Sequence, residues 1–414
     1  MRMSIELRQL DGSELDRFFE TLAHAFGQGP PFPAEMEELW RSLLELKRTV
    51  SAWDGEQLVG TASTFDFRVT VPGGGSLPAA GVTAVGVRPT HRRRGVLRSM
   101  MRRQLDELHA WGEPLALLTA SEPEIYGRFG YGVASEELTA RIDTSRVRLT
   151  LPEGADELSL RLVDPRDPEV LARCEELYAR RVPVRPGMLE RRPGWQWVPL
   201  RDPAEKRDGA SPMICVLAES DGELRGYARY AVRPRWDTGS PHGQVLLHNM
   251  EALDPAAHGA LLRYLCDLDL TTELDVRSRP TDDPLLHMVS DTRRCHVRPL
   301  DQLHLRLVEV DAALAGRTYA APVDVVFEVA DAFCPWNEGR WRLTGDAHGA
   351  RCVRTDETPE LALSVRELAS GYLGGTSLSA LADAGLVREL RSGALAEATT
   401  AFRGALAPWA PHGF

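Results

Sequence analysis

The sharpest chemistry in this sequence lies in Val85-Gly86-Val87-Arg88-Pro89-Thr90-His91-Arg92-Arg93-Arg94-Gly95-Val96-Leu97-Arg98. An apolar stretch gives way to a turn, and an amphipathic pattern starts at the glycine. A helix start presents backbone N–H groups without intrahelical partners and the positive end of the helix dipole. An anion such as a pyrophosphate binds readily there. Gly95 permits close approach of backbone to phosphate, and the arginines add charge-assisted hydrogen bonds to phosphate oxygens. The competing reading is a solvated basic helix start, such as a nucleic-acid patch. Energy weighs against it. Each exposed cation here opposes the dipole by roughly 0.3–1 kcal/mol, so Arg92, Arg93 and Arg94 are locally unfavourable without an anion.

The elements that must position this segment follow from periodicity. Leu97, Met100, Met101, Leu105, Leu108 and Trp111 recur at three and four, which predicts a helix over Val96–Trp111. Gly112 stops it and Pro114 follows. Gly81–Val87 reads as a short apolar strand before the turn, and Leu115–Ser121 as a buried strand after the helix. Upstream, Leu15–Phe26 and Glu35–Lys47 read as helices. Thr49–Ala52 and Leu58–Phe67 read as strands around the turn Asp54-Gly55-Glu56, and Pro72–Gly75 as a loop.

Pro152, Gly154, Pro165 and Pro168 mark a boundary near residues 151–167. Beyond it lies an internal echo. Ala52-Trp-Asp-Gly-Glu-Gln-Leu-Val-Gly60-Thr-Ala62 resembles Ala218-Glu-Ser-Asp-Gly-Glu-Leu-Arg-Gly226-Tyr-Ala228. The second copy runs on through a strand over Val245–Met250 to a helix over His258–Leu268, which points to a diverged duplication. From about Val297 strands alternate with Gly-rich turns, and helices are expected over Ser364–Ala369, Ser377–Ala384 and Ala394–Leu406. The last residues, Pro408-Trp-Ala-Pro411-His-Gly-Phe414, carry two aromatics and two prolines and read as an end fixed in place. The fold class is α/β with mixed sheets, in three domains expected at 1–150, 151–295 and 296–414.

The bulk numbers bound the partners. With 414 residues, 43% hydrophobic and 26% charged, the chain reads as a soluble globular protein of several domains. A net charge of −11 disfavours a nucleic-acid partner and suits a cationic substrate such as an amine. The six cysteines are scattered without metal-ligand spacing, which fits free thiols in a reducing cytoplasm. No apolar h-region follows Met1-Arg2-Met3-Ser4-Ile5-Glu6, and no run approaches the roughly 20 apolar residues a membrane helix needs. His24, His91, His248 and His287 form no ligand cluster, so no metal is expected. Trp195 and Trp197 read as packing residues. No G-x-S-x-G, H-E-x-x-H or P-loop is present.

Arg92-x-x-Gly95 resembles the pyrophosphate motif Q/R-x-x-G-x-G/A of the GNAT acetyltransferases, with Leu97 where Gly or Ala is usual. The longer strings Thr83–Arg98, Leu118-Thr-Ala-Ser-Glu122 and Ile125-Tyr-Gly-Arg-Phe-Gly-Tyr-Gly132 resemble one branch, the Eis ("enhanced intracellular survival") family. The resemblance implies a GNAT domain, a second GNAT-like domain without the motif, and a C-terminal domain similar to sterol carrier proteins. The second copy agrees, since Asp254-Pro-Ala-Ala-His258-Gly precedes its helix where Arg-x-x-Gly would stand.

The same resemblance implies acetyl-CoA as co-substrate and direct transfer to a primary amine. The backbone of Val85, Gly86 and Val87 is expected to meet the pantetheine arm like an added strand. Arg92 to Arg98, including Gly95, Val96 and Leu97, would hold the pyrophosphate, with Ser121 and Glu122 near the acyl end. Tyr126 is the expected acid. Its phenol, of reference pKa near 10, is a suitable proton donor to a departing thiolate of thiol pKa about 8.5. Tyr131 is the rival, and reads better as a packed aromatic. The base implied is the C-terminal carboxylate, here on Phe414, which would attract the ammonium and relay its proton through water. Glu122 and Glu124 are other candidate bases.

The implied acceptor is an aminoglycoside-like polyamine or a lysine side chain, and the implied assembly is a hexamer of three dimers. No acceptor residue is assigned, because Phe18–Met36 carries no family motif. Two further readings stand beside this one. The first is a protein or peptide N-acetyltransferase. The second is a non-catalytic acyl-CoA or lipid-binding regulator, against which the pairing of Tyr126 with Arg92–Gly95 argues.

Overall fold

The computed structural model describes residues 5–27 and 34–414. Residues 1–4, part of the stretch screened above for a signal segment, and 28–33, within the stretch without an acceptor motif, lie outside the described residues. Strands β1 (Glu6–Arg8), β2 (Thr49–Asp54), β3 (Gln57–Thr70), β4 (Ser76–Val87), β5 (Leu115–Thr119) and β6 (Gly132–Val133) belong to a first mixed sheet. Helices α1 (Leu15–Ala25), α2 (Ala34–Leu43) and α3 (Val96–Trp111) accompany it. The helix expected over Val96–Trp111 is found with those bounds, and its buried stripe contains Met100, Met101, Leu105 and Leu108.

The chain then crosses into a second sheet with β7 (Glu136–Asp143), joined by β8 (Ser159–Val163), β9 (Ile214–Ser220) and β10 (Glu223–Arg233). A small hairpin of β11 (Trp236–Asp237) and β12 (Ser240–Pro241) precedes β13 (Gly243–Ala252), β14 (Thr271–Pro280) and β15 (Arg298–Asp301). Helices α4 (Pro168–Arg181), α5 (Pro255–Cys266) and the short α6 (Leu285–Met288) belong to this part. One residue after β15 the chain crosses back. β16 (Leu303–Leu307) enters the first sheet between β5 and β6.

The contiguous domains expected at 1–150, 151–295 and 296–414 therefore need correction. β7 lies in the first segment but pairs with β14 and β15, while β16 lies in the third segment but pairs with β5 and β6. The reason is edge pairing: an apolar strand at an open edge leaves a row of unmet N–H and C=O groups, and the exchange meets them in both sheets. At the crossing, Gln302 N–H donates to Ser135 O at 3.0 Å, and Ser135 Oγ donates to Gln302 Oε1 at 3.1 Å.

The internal echo holds in three dimensions. Ala52 pairs with Gly60 across β2 and β3, and Ala218 with Gly226 across β9 and β10, each beside a register shift. A Cβ on Gly60 would lie 3.0 Å from Met100 Sδ of α3, and one on Gly226 would lie 3.0 Å from Leu261 Cδ1 of α5. Each glycine lets its helix press onto its sheet. In both copies a parallel strand pair follows, β4 with β5 and β13 with β14.

The third sheet contains β17 (Val323–Ala330), β18 (Gly339–Asp346), β19 (Gly349–Arg354), β20 (Leu361–Ser364) and β21 (Val387–Glu389), with α7 (Val310–Ala315), α8 (Val365–Tyr372), α9 (Leu378–Asp383) and α10 (Ala394–Phe402). Its apolar face merges with that of the first sheet, so Phe67, Leu117, Leu305, Phe327 and Phe402 share one core. The buried pair Arg306–Asp331 ties β16 to this domain. The domain interior holds Arg317, whose Nη2 donates to Phe402 O at 3.1 Å and whose guanidinium lies over Tyr319 at 4.6 Å.

Residues 1–150 expressed alone are expected to aggregate, because β5 then loses its partner β16 and β7 loses its sheet. Gel filtration and thermal unfolding check this; a monomer with a cooperative transition would contradict the exchange.

Candidate active site

β4 and β5 are joined for only three residues, Ala79–Leu115, Ala80–Ala116 and Gly81–Leu117. Beyond Gly81 they part, while β4 stays paired with β3 as far as Val87. A bulge at Ala84, whose φ is +52°, helps to turn β4 away, and Thr61 Oγ1 donates to its carbonyl at 2.8 Å. Arg88 N–H donates to Val59 O at 2.8 Å on the β3 side. Alternation along the strand then aims the backbone groups of Gly86 toward β3 and those of Val85 and Val87 into the gap. The gap is a short strand edge able to take an extended, amide-bearing chain.

At its far end stands the start of α3. Gly95 is the N-cap with φ +83°, and no side chain caps the helix. Arg93 also has positive φ, at +62°. Alternating φ of this kind turns successive N–H groups inward to form an anion-binding concavity. Arg93, Arg94 and Arg98 are exposed around it, with Arg98 also 5.5 Å from the Phe333 ring. Val96 and Leu97 pack their side chains into the core against β4, so only their backbone faces the concavity. Arg92 behaves differently. Its Nη2 donates to Ala25 O at 2.7 Å, so it braces the turn against α1.

Tyr126 follows β5 in a short 3-10 segment, Pro123–Phe129. It packs with Val82, Leu118 and Tyr131 on the α3 side of the parting. Its ring meets Tyr131 edge-on at 6.0 Å. Burial, and secondarily the charge of Glu122, push its phenol up to about 12. Ser121 and Glu122 are exposed just beyond β5. Tyr131 is sealed, its hydroxyl buried without a hydrogen-bond partner, which fits a packing role. Cys334, distant in sequence, joins the same cluster. Burial raises its thiol, so it is a poor nucleophile.

The tail arrives on the opposite face. Phe414 packs edge-on against Phe67 at 5.0 Å, and its Cε2 lies 3.2 Å from where a Cβ on Gly81 would stand. Gly81 is the last residue of β4 paired with β5, so the chain end sits at the point of parting. His412 stacks on Trp195 at 6.1 Å, and Trp195 packs on Phe65 and Phe67 as an interior aromatic, while Trp197 is 38% exposed. Among the described residues, no group of three or more His, Cys, Asp or Glu is placed to hold a metal ion, and no helix is long and apolar enough to cross a membrane.

Comparison with known proteins matches this arrangement. Acetyltransferase (GNAT) domain models match residues 6–134 and 187–307, and a sterol carrier protein domain model matches residues 310–411. The chain is 60% identical to an uncharacterized N-acetyltransferase of Streptomyces avermitilis, with 100% of both chains covered. It is 36% identical to the N-acetyltransferase Eis of Mycobacterium tuberculosis, over 89% of this chain and 90% of that one. The crystal structure of Eis1 from Mycobacterium abscessus superposes with a TM-score of 0.83 at 34% identity, covering 99% of this chain and 100% of that one. The chain belongs to the Eis family of GNAT N-acetyltransferases.

Within this Eis-family chain the second GNAT domain shows what a closed slot looks like. β13 and β14 also part, after Leu247 and Val276. There Arg279 reaches across the gap and donates to Met250 O. Met250 occupies the place of Val85, because Ala252 pairs with Gly226 as Val87 pairs with Gly60. Arg279 is held by buried Asp283 at 2.7 Å, which also meets His258 at 3.3 Å. The start of α5 is capped by Asp254, whose Oδ1 accepts from Ala257 N–H at 2.8 Å. Both the strand gap and the helix start are thus filled by the protein's own groups, whereas in the first domain, among the described residues, the helix start has no side-chain cap and the edge is met only at Val87 O, by Arg92 Nε at 3.5 Å.

His412 gives a pH-dependent stability. Its Nε2 accepts from Arg191 Nε at 3.3 Å and its Nδ1 faces Gly413 O at 3.3 Å, an arrangement that suits the neutral ring. Burial first, and then Arg191, lower its pKa to about 3. Between that value and the unfolded value of about 6.5 only the unfolded chain binds the proton, so stability falls as pH falls. The expected slope from this group is about 1.4 kcal/mol per pH unit. Denaturant titrations at pH 6 and pH 4.5 are expected to show a steeper loss in wild type than in His412→Gln. Equal losses would show that His412 is protonated in the fold.

Proposed function

We propose that this Eis-family enzyme transfers acetyl from acetyl-CoA directly to a primary amine of a polycationic acceptor of the aminoglycoside type. The observation that carries the proposal is the parting of β4 and β5 after Gly81, with Tyr126 on one face and Phe414 on the other. In this reading the pyrophosphate rests on the N–H groups after Gly95 with Arg93, Arg94 and Arg98 around it. Pantetheine runs along Val85 and Val87 toward Gly81, with Ser121 and Glu122 beside the acyl end.

The acceptor nitrogen attacks the acetyl carbonyl carbon from the Phe414 side. The tetrahedral intermediate collapses, the C–S bond breaks, and the thiolate takes a proton from Tyr126 Oη. The nitrogen loses two protons, one before attack and one as the intermediate becomes the amide; both pass through water to the C-terminal carboxylate and on to solvent, and one returns from solvent to Tyr126. Acetyl-CoA and an ammonium become an amide, free thiol and one proton. A negative whole-chain charge favours cationic acceptors, because it concentrates them near the surface. The raised phenol pKa keeps Tyr126 protonated across the working range, and the same dry surroundings raise the proton affinity of the thiolate.

Thiol release from acetyl-CoA with a panel of aminoglycosides, short amines and lysine peptides tests this. Tyr126→Phe is expected to lower kcat at least tenfold while changing the KM for acetyl-CoA less than about threefold, in keeping with the size of general-acid effects. With its phenol at about 12, wild-type kcat is expected to show no fall from Tyr126 ionisation up to pH 10. A lysine peptide as the only substrate would move the acceptor class to proteins, and full activity in Tyr126→Phe would remove the acid.

A further inference from the structure

The tail that carries Phe414 is gripped along its length by groups outside the first domain. Arg185 Nη1 donates to Ala407 O at 2.5 Å, and Ala407 N–H donates to Asp282 Oδ2 at 2.8 Å. Trp409 N–H donates to Pro186 O at 2.9 Å, and its ring lies 5.2 Å from the guanidinium of Arg279, the side chain that closes the second slot. Gln302 then holds both peptide groups of Ala410. Its Oε1 accepts from Ala410 N–H at 2.9 Å, and its Nε2 donates to Ala410 O at 2.6 Å. Further along, Arg191 and the Gly413 carbonyl bracket His412.

Gln302 is the informative member. It is the single residue between β15 and β16, at the crossing of the two sheets. It is 8% exposed, and Ser135, Glu137 and Ser278 fix its amide from three sides. Its two bonds to one residue set the register of the tail. Only three residues, Pro411, His412 and Gly413, separate Ala410 from Phe414. A slip by one residue would move the chain end by about 3.5 Å. Displacements near 1 Å already cost on the order of 100-fold in rate when they misplace a reacting group.

We propose that Gln302 is a positioning residue for the reaction: by clamping Ala410 at the sheet crossing, beside the arginine-filled second slot, it sets the C-terminal carboxyl group of Phe414 at the parting of β4 and β5. The second GNAT domain then contributes to transfer as the seat of the tail. This rests on the reading of the Phe414 carboxylate as proton acceptor. Gln302 is neutral and does not touch the reacting atoms, so its influence passes through geometry.

A double-mutant cycle separates position from fold. Gln302→Leu keeps the size of the side chain and removes both bonds. In the full chain, kcat with acetyl-CoA and the fastest amine of the panel is expected to fall at least tenfold, with the KM for acetyl-CoA within twofold. In a chain lacking Phe414, already slow, the same substitution is expected to produce no further loss in kcat. Equal losses in both backgrounds, or an unchanged kcat in the full chain, would overturn the positioning role. Should deletion of Phe414 itself leave kcat unchanged, the carboxylate reading fails and takes this proposal with it. A loss on deletion of Phe414 without a loss in Gln302→Leu overturns the positioning role alone. If Gln302→Leu does not fold, His412→Phe enters the same cycle with the same expectations, since it releases Gly413 while keeping an aromatic against Trp195.

Discussion

The structure depends on where the hydrogen bonds between β4 and β5 stop. Three residue pairs hold the strands together, and past Gly81 the chain of β4 keeps its bonds to β3 while, among the described residues, no strand pairs with its other side. Backbone groups left in this way need partners. In the second domain the protein supplies its own, through Arg279 and the Asp254 cap. In the first domain, among the described residues, the one side-chain contact to these edge groups is a long one, Arg92 Nε to Val87 O at 3.5 Å, and no side chain caps the helix start. At the parting of their strands the two halves thus differ in Arg279 and the Asp254 cap, which close the second slot from within the chain.

The second constraint is the exchange of β7 and β16 between sheets. It makes the first domain incomplete without residues near 303–307 and brings the C-terminal domain into a shared core with Phe67 and Leu117. A chain end anchored in that core reaches the point of parting without a long flexible arm. The entropy of ordering it is met during folding, so it need not be met at each turnover. The face it occupies is opposite that of Tyr126, which allows a donor and an acceptor to approach the same carbonyl from different sides of one sheet.

Much of this was legible in the residues. The helix over Val96–Trp111, the strands either side of it and the duplicated Asp-Gly hairpin follow from periodicity and turn chemistry, and each is present. Local strings single out Tyr126 and the Gly95 turn as candidates, and the structure places them on the α3 side of the parting. Other features were not accessible from one dimension. Arg92 fits the spacing of a phosphate ligand, yet spacing does not give side-chain direction, and its guanidinium is committed to Ala25 O. The boundaries at 150 and 295 failed because composition marks linkers and strand exchange leaves no compositional trace. Gln302 and Arg279 sit in ordinary polar sequence, and the contacts of Gln302 with Ser135, Glu137 and Ala410, each more than a hundred positions away, are invisible in one dimension.

The most direct test of the account is a crystal structure with CoA and an amine acceptor bound. Pantetheine is expected to lie along Val85 and Val87, with the CoA sulfur within about 3.5 Å of Tyr126 Oη and the acceptor nitrogen on the Phe414 side of the sheet. Pantetheine bound elsewhere, or donor and acceptor entering from the same face with Phe414 displaced from Phe67, would contradict it.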